Sequence, residues 1–445
     1  MSMKNINQNP DGFLSKMPVL QFSLLSILFP LWAAAASLND ILITQFKSVF
    51  YLSDFASALV QSAFYGGYFL IAIPASLLIK KTSYKICILV GLVFYIIGCS
   101  LFYPASSMAT YSMFLVAIFV LAIGLSFLET SANTYSSLMG PRDKSTLRLN
   151  ISQTLYPIGS IVGVLLGKYL IFQDGASLKS QMSNMTPEAA RTFAESVLQY
   201  TLQPYKYLIL ILVVVIILFA ITKFPKCKTQ NAKNEVENKV SISETLKYLA
   251  KNSNFKKGIL AQFIYIGLQT TVWSFTIRLA LTLDKNIGER SASTYMIYTF
   301  IAFFLGRLVA TFLMSKFNVA KVLFIYSILG CLSLVYVVLA PNFTSIYACI
   351  VASFFFGPCW ATIFGKTLES VENKKYTETA GAIIVMAISG GALMPAVQGL
   401  VSDALGSMQL SFVVPMICFA SVALYFYTQI KMSKQLMNNT KVENP

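Results

Sequence analysis

The chain has 445 residues, of which 56% are hydrophobic and 12% charged, and a formal net charge of +16. A soluble chain of this length would carry about a quarter charged residues and would fold as two or three domains with polar surfaces, so that class is excluded. There is no histidine, which rules out histidine bases, relays and metal ligands, and the seven cysteines are spaced neither as a disulfide framework nor as a zinc site.

In chain order, the first sixteen residues are polar. The apolar run after them is too long for a signal-peptide core and lacks a small-residue cleavage site, so it reads as a retained first helix. Membrane-spanning helices are predicted at 18–46, 54–79, 86–104, 111–139, 148–172, 206–222, 258–283, 291–315, 322–340, 345–367, 380–402 and 411–430. Such stretches cross a hydrocarbon core of about 30 Å at about 1.5 Å per residue. Helices satisfy their own backbone groups in lipid, and the alternating ten-residue segments of a membrane barrel are missing.

The count is six, a break, and six: an all-α membrane protein of twelve transmembrane helices. Residues 1–222 form the first six-helix half and 258–445 the second, joined by a polar, lysine-rich linker at 223–257. The linker holds a short amphipathic stretch around Ile242–Leu249, and 226–240 has the composition of a disordered tether.

Placing the N-terminus in the cytoplasm puts 26 of the 34 basic residues in cytoplasmic segments, Arg142, Lys144, Arg148, Arg307, Lys316 and nine linker lysines among them. The positive-inside rule therefore places both termini in the cytoplasm. Topology accounts for the basic balance, and no nucleic acid partner is needed.

The segment 74–89, PASLLIKKTSYKICIL, resembles 309–324, VATFLMSKFNVAKVLF, at an offset of 235 residues. Two six-helix halves related by a repeat are the arrangement of major facilitator transporters, whose substrate site lies between the halves near the midplane.

Only two of the eighteen acidic residues lie deep in apolar segments, Asp40 in the first predicted helix and Glu129 in the fourth. A carboxylate there costs roughly 2.5–3.5 kcal/mol on insertion scales. Burial penalises its charge, so it can take and release a proton near neutral pH, and the pair suits proton coupling. Sodium can serve in place of the proton at a carboxylate with neighbouring oxygens.

Uncharged polar groups surround them. Asn133 lies one turn from Glu129. Asn150 and Gln153 share a face of the fifth helix, and Gln262, Tyr265, Gln269 and Trp273, spaced 3, 4 and 4, draw a polar and aromatic stripe down the seventh. Amides donate to and accept from hydroxyls, and flat aromatic faces suit the C–H side of a sugar ring, so the lining fits a small neutral sugar. Gly159, Gly163 and Gly167, four residues apart, predict close helix packing, and Gly390, Gly391 and Pro395 a bend or a packing contact.

The stretches LNDILITQF (38–46), QSAFYGGYFLIAIPASLLIKKTSYK (61–85), FLETSAN (127–133), RLNISQT (148–154), LAQFIYIGLQTTVWSFTIR (260–278) and SDALG (402–406) resemble the L-fucose–proton symporter group of the major facilitator superfamily, which also holds glucose, galactose and N-acetylglucosamine porters. The resemblance implies proton coupling at Asp40 and Glu129 and a cavity glutamine at Gln153. Ser37 replaces an asparagine usual one turn before Asp40, beside Asn39; Asn133-Thr134 replaces asparagine-proline; Trp360-Ala361 replaces tyrosine-proline. These departures fall in the expected cavity and leave the identity of the sugar open.

The expectation is a proton-driven importer of L-fucose or a related hexose, working by alternating access as a monomer among the lipids of a bacterial inner membrane, without metal or cofactor. Its expected lining is Ser37, Asn39, Asn133, Asn150, Gln153, Gln262, Tyr265, Gln269, Trp273 and Trp360. The rivals are an efflux carrier for metabolites or drugs and a non-transporting sugar sensor. No nucleotide loop, metal cluster or nucleophile–base pair suggests an enzyme.

Overall fold

A computed structural model describes residues 7–9, 12–227, 242–371, 373 and 376–443. The N-terminal half consists of α1 (Val19–Val49), α2 (Asp54–Lys81), α3 (Tyr84–Met108), α4 (Tyr111–Leu138), α5 (Ser145–Thr154), α6 (Tyr156–Leu170), α7 (Leu178–Ser183), α8 (Pro187–Tyr200) and α9 (Leu202–Ile221). The C-terminal part consists of α10 (Ile242–Lys251), α11 (Ser253–Leu283), α12 (Glu289–Lys316), α13 (Val319–Leu339), α14 (Thr344–Phe354), α15 (Cys359–Glu369), α16 (Thr377–Met386), α17 (Gly390–Leu405) and α18 (Val413–Glu443).

Among the described residues, ten helical segments are long and apolar enough to cross a membrane. The broken pair α5–α6 and the more polar α11 complete twelve crossings. An even number of alternating crossings puts both termini at one end of the bundle, called here the termini end; the other is the far end.

Local chemistry sets the helix boundaries. Ser53 caps α2 by accepting from Ala56 N at 3.1 Å, and Asn252 caps α11 by accepting from Phe255 N at 3.0 Å. The two copies of the repeat do this at equivalent points: Ser83 accepts from Ile86 N at 3.2 Å, and Asn318, 235 residues later, accepts from Lys321 N at 3.1 Å. At the end of α4, Arg148 is buried and donates to the carbonyls of Ser136, Pro141 and Gly140. It thereby satisfies acceptors that the helix end leaves open.

Three crossings are interrupted. Pro157 has no N–H to offer the Gln153 carbonyl one turn earlier, and the chain breaks at Leu155 between α5 and α6. The tenth crossing breaks between α14 and α15, where Gly357 takes φ +49°, a conformation that L side chains rarely adopt. The eleventh passes through a short 3-10 turn, Ala387–Ser389, before α17.

The glycine ladder packs α6 on α1. A Cβ at Gly159 would lie 2.2 Å from the Pro30 carbonyl oxygen, and one at Gly163 would lie 2.4 Å from that of Ala34. Gly390 does the same against α11, where a Cβ would meet the Phe263 carbonyl at 1.8 Å, so packing is the role visible for it. Across the halves, α2 packs against α16 and α17, and α6 against α12, a pseudo-twofold arrangement.

Part of the predicted linker belongs to the second half. Leu249 of α10 joins Phe255, Val371, Tyr376, Ala380 and Ile384 in a small apolar cluster, and Tyr376 stacks on Tyr248 at 4.3 Å while donating to Glu244 at 2.8 Å. The predicted tether at 226–240 lies almost wholly outside the described residues; Cys227, within it, is buried against the first half.

Candidate functional site

A cavity lies between the halves where the breaks cluster. Trp32 of α1, Tyr65 and Tyr68 of α2, Glu129 of α4, and Gln153 and Tyr156 on either side of the α5–α6 break form one wall. Tyr265, Gln269 and Trp273 of α11, Arg307 of α12, and Gly357 and Trp360 at the α14–α15 break form the other. It holds about 80 Å³ of free space. That is small beside ordinary ligand pockets of about 300–1,000 Å³, so a hexose has to widen it.

The walls are braced by polar contacts. Gln153 donates to Asn133 Oδ1 at 2.8 Å, and Asn133 donates to the Glu129 carbonyl at 3.0 Å, so the amides tie α5 to α4. The Tyr68 hydroxyl stands beside the Glu129 carboxyl. On α11, Gln269 donates to the Tyr265 hydroxyl at 3.4 Å, which itself donates to the Phe356 carbonyl at 3.3 Å. Trp273 packs among Phe300, Phe303 and Phe356 at centroid distances of 4.7, 5.3 and 5.6 Å, and Trp360 stacks on Phe364 at 5.3 Å.

Asp40 lies off the cavity in a hydrogen-bond cluster that crosses the halves. Its Oδ1 accepts from Ser274 of α11 at 2.8 Å and from Gln61 of α2 at 2.5 Å, and Gln61 also donates to Ser274 at 2.6 Å. Asn39 donates to Gln61 Oε1 at 2.9 Å.

One turn beyond Ser274, Arg278 is buried, donates to Ser57 at 2.8 Å and lies 3.6 Å from the Asp54 carboxylate. Asp54 also pairs with Lys47 and accepts from Ser402 at 2.8 Å. Asp403 accepts from the backbone N–H groups of Asp54 at 3.0 Å and Phe55 at 2.9 Å. A carboxylate from one half thus caps a helix of the other, where the free N–H groups and the helix dipole favour negative charge. Glu289 of α12 does likewise, accepting from Leu178 N at the start of α7 at 2.9 and 3.1 Å. These bonds join the halves at the far end. At the termini end, Lys80 donates to Thr379 at 3.4 Å.

The expected lining is therefore redistributed. Glu129, Gln153, Tyr265, Gln269, Trp273 and Trp360 face the cavity. Ser37, Asn39 and Asn133 are buried behind its wall, Asn39 and Asn133 because their amides are engaged by Gln61 and Gln153. Gln262 shares the α11 face but lies nearer the termini end, below the cavity, fully buried, with neither amide atom hydrogen-bonded among the described residues. Asn150 lies in α5, outside the residues whose side chains are described.

Arg307, counted from the sequence as cytoplasmic, stands inside the span and on the cavity. It lies nine residues from the end of α12, about 14 Å at about 1.5 Å per residue. Gln61, Tyr65 and Tyr68 join these residues without having been expected. Their spacings of 4 and 3 put them on one face of α2, the same helical signal that marks the stripe on α11.

The Major Facilitator Superfamily model matches residues 19–395. This chain is a member of the Major Facilitator Superfamily. Within the superfamily, it is 36% identical over 417 residues to the L-fucose-proton symporter of Escherichia coli, covering 93% of this chain and 94% of that one. It is 31% identical over 403 residues to a glucose/galactose transporter of Brucella abortus, covering 90% and 92%. A crystal structure of the relative titled FucP, in the outward conformation, matches with a TM-score of 0.71 at 36% identity, over 92% of this chain and 98% of that one. The chain is thus a multi-pass membrane protein of a transporter family, with twelve crossings in the major facilitator arrangement.

Proposed function

We propose that the chain is a proton-coupled sugar symporter that imports L-fucose or a related hexose across the bacterial inner membrane, both termini in the cytoplasm and the far end in the periplasm. The observation that carries this reading is the placement of the two membrane-buried carboxyls. Glu129 stands in the wall of the cavity, and Asp40 stands in hydrogen bonds that cross the halves.

A proton on Glu129 changes what that wall offers a hydroxyl, from an acceptor only to an acceptor and a donor. Proton and sugar are therefore linked through one cavity. The bonds of Asp40 must be remade whenever the far end opens, because Ser274 belongs to the other half. Its proton occupancy and that opening are then linked by thermodynamic necessity. Gln153 and Gln269 supply amide contacts to hydroxyls, and Trp273, Trp360 and Tyr65 supply apolar faces. One relative was captured in the outward conformation, whereas the far end is tied shut here, so the two describe different phases of alternating access. The halves, residues 1–222 and 258–445 with α10 packed on the second, move as the two bodies, and a single chain suffices.

The test is uptake of labelled L-fucose, D-galactose and D-glucose into proteoliposomes, with and without an inside-alkaline pH gradient and with sodium as a separate arm. Gradient-driven accumulation of at least one sugar is expected. Accumulation driven by sodium alone would remove the proton from the reading. Binding without accumulation would make the protein a sensor, and accumulation of substrate in everted vesicles would make it an efflux carrier.

A further inference from the structure

Arg307 is the one cation on the cavity wall among the described residues. It is half-buried in α12, and no described residue accepts a hydrogen bond from its guanidinium or lies within ion-pairing distance. Its backbone is held firmly: a Cβ on neighbouring Gly306 would lie 1.8 Å from the Phe354 carbonyl oxygen, so α12 and the end of α14 are in direct backbone contact. The nearby Tyr265 hydroxyl already donates to the Phe356 carbonyl. A cation within a membrane is expensive unless its donors are satisfied, and here the cavity's contents must satisfy them.

The opposite wall has the complementary chemistry. Glu129 offers carboxyl oxygens, with the Tyr68 hydroxyl beside them. The cavity is therefore polarised in charge, with a carboxyl on the N-terminal wall and the fork of a guanidinium on the C-terminal wall. A guanidinium presents its donors in a plane, at a spacing that matches two neighbouring oxygens. Adjacent hydroxyl oxygens of a pyranose are such a pair, while hydroxyls on the far edge of the ring can donate to Glu129. A sugar carboxylate would meet Arg307 equally well but would also face the Glu129 carboxyl.

We propose that Arg307 orients the sugar, its guanidinium donating to two adjacent hydroxyl oxygens of a neutral pyranose whose other edge meets Glu129. This rests on the reading of the protein as a sugar carrier and adds a residue that sets which hydroxyl pattern is accepted.

The experiment measures binding of L-fucose, D-galactose, D-glucose, each of their monodeoxy analogues and D-galacturonate to the purified full-length protein, to Arg307→Gln and to Arg307→Lys, with thermal unfolding as a check of folding. In the parent, analogues lacking the hydroxyls that face Arg307 should bind roughly tenfold more weakly than the intact sugar. In Arg307→Gln that discrimination should fall to about twofold or less, while discrimination at the other hydroxyls persists. Arg307→Lys, which keeps the charge and loses the fork, should show the same selective loss. A uniform fall in affinity for every analogue, or no change, overturns the proposal. So does a parent that binds D-galacturonate in preference to the neutral sugars. A parent that binds no sugar at all defeats the carrier reading and this proposal with it, whereas sugar binding indifferent to Arg307 defeats this proposal alone.

Discussion

Asp403 of α17 accepts from the backbone N–H of Asp54 at 3.0 Å, so the C-terminal half caps the first turn of a helix in the N-terminal half. A charge-assisted cap of this kind contributes about 1–2 kcal/mol. It exists only while the far end is closed, because opening that end leaves the N–H groups of α2 to water.

Asp403→Ala should therefore favour the far-end-open state by roughly 5- to 30-fold, from about 1–2 kcal/mol. Tyr65 lines the cavity, and a cysteine placed there reports access to it. Its alkylation by an impermeant maleimide added from the far side should speed up in the Asp403→Ala background. An unchanged rate would mean that the cap does not limit opening.

Glu129→Gln imitates the permanently protonated carboxyl. Such a carrier can bind sugar and swing with sugar aboard, but it cannot release the proton and reset. Sugar accumulation under a pH gradient should vanish while sugar-for-sugar exchange survives. Accumulation equal to the parent's would assign Glu129 a bracing role alone.

Gln153→Ala and Gln269→Ala should each weaken sugar binding by about 1–3 kcal/mol, the usual cost of a lost buried hydrogen bond. For Gln153 part of that loss comes through Asn133, which accepts from it at 2.8 Å. Isothermal titration of both variants is the measurement; unchanged affinity in both would identify the amides as helix-to-helix contacts.

Cys227 follows the last crossing of the first half and is 3% exposed. Burial pushes its thiol up to about 12. The reactive thiolate is therefore scarce at neutral pH, and the sulfur is shielded as well. In a variant whose only cysteine is Cys227, labelling by N-ethylmaleimide should be slow in the folded protein and fast after denaturation. Rapid labelling of the folded protein would show that the segment after α9 leaves the first half.

Much of this molecule could be read from local rules. Apolar length determines the crossings, since a helix in lipid needs nothing beyond its own backbone bonds. The two carboxyls announced themselves by their cost, and the α11 stripe and the glycine ladder of α6 followed from helical period. Which polar groups line the cavity was decided by the tertiary structure, since Asn39 and Asn133 fit the expected lining by type and spacing yet are turned away by bonds to Gln61 and Gln153. The far-end closure is equally invisible along the chain, because Asp54 and Asp403 are 349 residues apart and each looks like an ordinary residue at a helix end. Arg307 shows the limit most plainly: a basic residue near a predicted helix end reads as a cytoplasmic anchor, and only the packing of α12 against α14 places it on the cavity wall. Sequence period fixes which face of a helix a residue occupies; only the packing of the other eleven crossings decides whether that face meets lipid, a neighbouring helix or the cavity.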